Sequence, residues 1–155
     1  MNCLLTLGLT AALALPLAAC GGEQTWQVVA VHTDPAEPGA LLADAAGLAN
    51  FTLTETSLTG TTACADLDAA ITTEDDGEDD AEDDAFTVDS VEVGDAADCD
   101  GGARHVHEQL TSIIVPGARF RVDHLTDSEM VFTATSDGPE GEPVVDPPSI
   151  RLMAL

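Results

Sequence analysis

Residues 118–125 read ARFRVDHL, and after Thr126-Asp127-Ser128 residues 129–136 read EMVFTATS. In the first of these stretches Phe120 and Val122 oppose Arg119, Arg121 and Asp123. A period of two is the mark of a strand with one dry face and one wet face. A short polar turn between two such stretches makes an antiparallel hairpin. This hairpin sets the class of the fold, and the rest of the chain is read outward from it.

Downstream, residues 138–148 form a Pro/Gly/Glu-rich loop and residues 149–155 read as a closing strand. Upstream the period changes. Val106, Leu110, Ile113 and Ile114 recur at helical spacing within residues 103–115. Gly101-Gly102 opens that helix and Pro116-Gly117 ends it. Residues 85–93 (AFTVDSVEV) place Phe86, Val88, Ser90 and Glu92 on one face and Thr87, Asp89, Val91 and Val93 on the other. Neither face is purely apolar, so this is an imperfect strand.

Further back, residues 26–32 (WQVVAVH) give a first strand, broken by the turn residues of 34–39. Residues 40–48 are Ala/Leu-rich and read as a loop or single helical turn. Residues 49–55 and 57–64 alternate as a second hairpin, and 65–73 carry no assigned element. The expected fold is α+β and mainly antiparallel β, a small curved or barrel-like sheet with one packed helix. Trp26, the sole tryptophan, is expected in the core beside the first strand.

The 155 residues carry 29 acidic against 4 basic side chains, all four arginine, for a net charge of −25. This excludes a nucleic-acid-binding role, which needs clustered Lys and Arg to neutralise phosphates. It also argues against electrostatic attachment to anionic lipid. The charge is concentrated in residues 74–84, where nine of eleven are acidic. Mutual repulsion is expected to keep this insertion, about residues 72–84, extended and solvated. It lacks calcium-loop spacing, since Thr72 stands five places before Gly77.

Residues 3–15 are largely apolar, too short to span a bilayer but of signal-peptide length. Leu17-Ala18-Ala19-Cys20 follows and resembles the bacterial lipobox, whose cysteine is acylated after cleavage just before it. No Lys or Arg precedes the apolar run. The expectation is a signal peptide over 1–19, a lipidated tether over 20–24 and an exported domain over 25–155, held to the outer face of a membrane through Cys20. Cys64 and Cys99 then remain in the domain, and two cysteines in an exported domain usually pair. Metal ligation with His105 and His107 is the alternative.

The order of elements resembles the META/HslJ-like domain over residues 25–155. The resemblance rests on Gly60-Thr61-Thr62-Ala63-Cys64-Ala65, where the family shows Gly-x-x-Gly-Cys-Asn, with Ala63 in place of glycine and Ala65 in place of asparagine. It rests also on Cys99 before the helix, and on the succession of strands after it. It implies a compact β-rich fold and an envelope location, and it brings no catalytic residues and no cofactor.

The remaining residues capable of chemistry are scattered. His105 and His107 sit two apart on a helix and point well apart, so with Glu108 they make no facial metal site. Asp123 and His124 are neighbours in a strand and face opposite ways. Ser112 has no nucleophile-elbow context. Arg119 and Arg121 share a face suited to an anion, or to local Asp and Glu. These readings lead to a non-enzymatic envelope lipoprotein that binds an envelope protein or other component, or supports the integrity of the cell surface under stress. A cation- or small-ligand-binding module using the acidic tract or the His pair is the alternative.

Overall fold

Each hairpin of the chain pairs with the next, and the last strand returns to the first. The computed structural model describes residues 23–74, 84–135 and 146–155. The signal-peptide region, Cys20, Gly21-Gly22, most of the acidic tract and residues 138–145 of the loop lie outside them. The strands are β1 (Thr25–His32), β2 (Ala49–Leu53), β3 (Ser57–Thr62), β4 (Asp66–Glu74), β5 (Asp84–Val93), β6 (Arg119–Thr126), β7 (Glu129–Thr135) and β8 (Ser149–Ala154). One helix, α1 (Gly101–Ile113), lies between β5 and β6. All neighbours are antiparallel, in the order β1 to β8, and β8 pairs with β1 to close a barrel.

Two expectations change here. A strand, β4, occupies residues left unassigned, and Leu67, Ala69 and Ile71 are buried against exposed Asp66, Asp68 and Ala70. The acidic insertion is correspondingly shorter, because Thr72, Thr73 and Glu74 belong to β4 and Asp84 to β5. It is a hairpin connection rather than a separate segment.

The mixed faces of β5 have a simple cause. Ile71 pairs with Val88 but Ala70 pairs with Ser90, so Asp89 is an extra, bulged residue. Before the bulge Phe86 and Val88 point inward. After it, half-buried Val91 lies on the inner face opposite Ala69, while Val93, opposite Leu67, is exposed at the strand end. Similar irregularities leave Val29 unpaired between β1 and β8 and Leu125 unpaired between β6 and β7. Bulges of this kind bend and coil strands, which a barrel of eight needs in order to close.

An eight-stranded barrel is just wide enough for side chains to fill it. Here Phe51, Phe86, Phe120 and Phe132, all the phenylalanines of the chain, are buried inside. Phe86 stacks on Phe120 and meets Phe132 edge-on, both at 5.2 Å between ring centroids. Leu58, Leu67, Val88, Met130, Ile150 and Leu152 complete the filling. The outer face carries Thr59, Asp68, Thr72, Arg121, Thr133 and Arg151, so this barrel faces water, the reverse of a membrane-spanning one.

The two ends differ. At one end α1 buries Val106, Leu110 and Ile113, with Ile114 beside them, and extends the core across the strand ends of β1 and β3. Asp100 precedes the helix without capping it; instead Asp44, from the β1–β2 connection, accepts a 2.9 Å hydrogen bond from the Gly102 N–H. A Cβ on Gly102 would lie 2.2 Å from the Asp44 carboxylate, which accounts for the second glycine of the pair. The Cys64–Cys99 disulfide joins the β3–β4 turn to the segment just before α1, across a separation of 35 residues. In the chain-entropy account such a link stabilises by about 3–4 kcal/mol.

Gly60 and Ala63 yield predictions of opposite sign. A Cβ on Gly60 would lie 2.0 Å from the backbone oxygen of Asn50. Gly60→Ala is therefore expected to cost about 3 kcal/mol or more in denaturant unfolding. Ala63 holds φ at +83°, a conformation that costs a non-glycine residue about 1–2 kcal/mol. Set against glycine's greater unfolded entropy, Ala63→Gly is expected to stabilise by about 0.5–1 kcal/mol, read as a higher denaturation midpoint.

Candidate functional site: the open mouth of the barrel

The inward-facing positions of each strand continue past the phenylalanine layer to the end opposite α1. There the last inward residues are Trp26 on β1, Leu53 on β2, Thr73 on β4, Asp84 on β5 and His124 on β6. No helix covers them among the described residues. Trp26 and His124 meet across the opening, edge to face, with ring centroids 6.5 Å apart. Beside them a cleft of about 430 Å³ is lined by Leu53, Phe86 and Val122 at its apolar floor and by Glu55, Glu74, Asp84 and His124 at its rim.

The rim is anionic. Arg119 pairs with Glu74 across the strands, and the His124 imidazole lies 3.8 Å from the Asp84 carboxylate. Glu55 sits in the tight β2–β3 turn, whose loop is held by hydrogen bonds around the Thr54 hydroxyl. The other arginines are engaged too: Arg121 donates to both oxygens of Asp123, Arg151 pairs with Glu129, and Arg104 pairs with Glu108 one helical turn on. Every arginine of the chain thus faces a carboxylate, and the acidic excess has no internal counter-charge.

The residues singled out in the sequence are dispersed. Cys64 and Cys99 are joined, so neither sulfur is available to His105. His105 is exposed and lines a small crevice with Glu37 and Gln109. His107 is half-buried, its Nδ1 2.7 Å from the hydroxyl of buried Thr62. That hydroxyl also lies 3.0 Å from the Ala65 carbonyl, which it meets as donor. With its proton directed there, His107 Nδ1–H is the donor in the other contact. His107 is a strut between α1 and the disulfide turn. Among the described residues no group of three or more His, Cys, Asp or Glu gathers as metal ligands do.

Ser112 donates to the Gln109 carbonyl within its own helix. Asp123 and His124 do point apart, one holding Arg121 on the outer face and the other entering the mouth. Trp26 is half-buried and packs on the core. The rim itself is not evident from the residues alone. Asp84 and Thr73 belong to a tract that reads as an insertion, and only assigning β4 and β5 in register places them at the opening.

Comparison with protein-family models, with curated proteins and with solved structures finds no match to this chain.

Uncompensated carboxylates destabilise a compact chain through self-repulsion, which salt screens. Raising NaCl from about 10 mM to about 1 M shortens the screening length from about 30 Å to about 3 Å. The expected result is a rise of several degrees in Tm by thermal circular dichroism. A flat or falling Tm contradicts net repulsion.

Proposed function

We propose that this chain is an exported lipoprotein of the META/HslJ-like type, anchored through Cys20 on the extracytoplasmic face of a membrane. It works by binding an envelope component rather than by catalysis. The observation that carries the reading is Leu17-Ala18-Ala19-Cys20 standing five residues before Thr25, the first residue of β1. Three structural features support it. A disulfide closes the domain, as suits an oxidising compartment. Ala63 stands where the family motif carries glycine, and its φ of +83° is one that glycine favours. The barrel interior is filled by its own side chains, leaving recognition to the exterior and the mouth.

The β1 start, where the tether joins, lies at the mouth end of the barrel. In the ring of eight, β4 ends at Glu74 and β5 begins at Asp84 at that same end, on the far side of the barrel from β1. An anchored barrel would therefore hold its mouth toward the membrane side of the molecule, where envelope components are met.

Intact mass and free-thiol count of protein taken from the membrane fraction test the reading. Expected are a chain beginning at Cys20 with added acyl mass, no reactive thiol, and release of Cys20→Ala into the soluble fraction. An unacylated chain that keeps residues 1–19 would refute the anchor, and reactive Cys64 and Cys99 would refute the oxidising compartment.

A further inference from the structure

The mouth combines an apolar floor and an anionic rim, and we infer that it binds an organic cation: an amine carried on an apolar body. The inference rests on the binding role proposed above, and names the class of ligand the mouth accepts. It does not depend on the anchor.

Barrel mouths are common places for small-molecule sites, with an apolar lining and a few placed polar groups. This mouth fits that description on one end only, because α1 closes the other. Leu53 and Val122, with the edge of Phe86, offer a surface for a hydrocarbon body. The charge at the rim decides the sign of the head group. Glu55, Glu74 and Asp84 bring three carboxylates against one arginine, Arg119, which Glu74 already holds. An anionic head group would meet repulsion from Glu55 and Asp84, whereas an ammonium group finds two acceptors. A neutral body of the same shape gains the floor but leaves the rim unused. Trp26 stands next to this lining rather than in it, edge to face with His124.

Trp26 is the chain's only tryptophan and meets His124 of the cleft lining, so its emission reads a change at His124. The full-length protein in detergent is titrated with cyclohexylmethylamine and, in parallel, with the isosteric neutral cyclohexylmethanol. A saturable change in Trp26 emission with the amine is expected, with the alcohol at least about tenfold weaker. In the double variant Asp84→Asn, Glu55→Gln, whose exposed side chains leave the core intact, amine affinity is expected to fall about tenfold with Tm unchanged or higher. Equal binding of amine and alcohol leaves the mouth a binding surface but overturns the cation preference. No response to either compound overturns the mouth as a ligand site altogether. Displacement of the amine by equimolar calcium overturns the organic-cation assignment in favour of a site for inorganic ions.

Discussion

The pairing of β1 with β8 is the constraint on which the rest depends. Six residue pairs, from Trp26 with Ala154 to His32 with Ser149, join the ends of the described chain. Without that ladder β1 and β8 would be open edges, liable to pair with other chains. Closure also fixes the interior volume, and four phenylalanines with their aliphatic neighbours fill it. The filled interior in turn dictates where recognition is available. A larger barrel encloses ligands, but this one leaves only its ends, and α1 has taken one of them.

The capped end is held by three unlike interactions at one corner. The disulfide ties the β3–β4 turn to the approach of α1, His107 meets Thr62 from the next turn of the helix, and Asp44 reaches the Gly102 N–H from the β1–β2 connection. A hydrogen bond alone contributes only about 1 kcal/mol. The covalent link contributes more, and the two hydrogen bonds set the direction in which the helix leaves it. The result is asymmetric: one end is locked under α1, and among the described residues no helix covers the other.

Much of this is legible in the residues. The alternation of Phe120 and Val122 against Arg119 and Arg121 marks the β6–β7 hairpin, and Val106, Leu110 and Ile113 mark the helix face. Cys64 and Cys99 pair, as expected for two cysteines within one domain. The strand β4 escapes notice although Leu67, Ala69 and Ile71 alternate cleanly, because its end runs into the acidic tract and merges with it. The bulge at Asp89 hides the regularity of β5, since one extra residue reverses which side chains face inward. Asp44 cannot be assigned to the helix N-terminus from sequence, because the contact spans 58 positions. The mouth is hidden for the same reason: its residues come from five strands and share a site only once the register of the whole barrel is known.

The measurement that bears most directly on this account is the detection by NMR of cross-strand contacts between β1 and β8. The closed barrel predicts strong backbone contacts from Val28 to Leu152 and from Val31 to Ile150, with slowly exchanging amides along both strands. Contacts confined to β1–β2 and β7–β8, with fast exchange along the facing edges of β1 and β8, would show an open sheet. They would contradict the filled barrel and the mouth that follows from it.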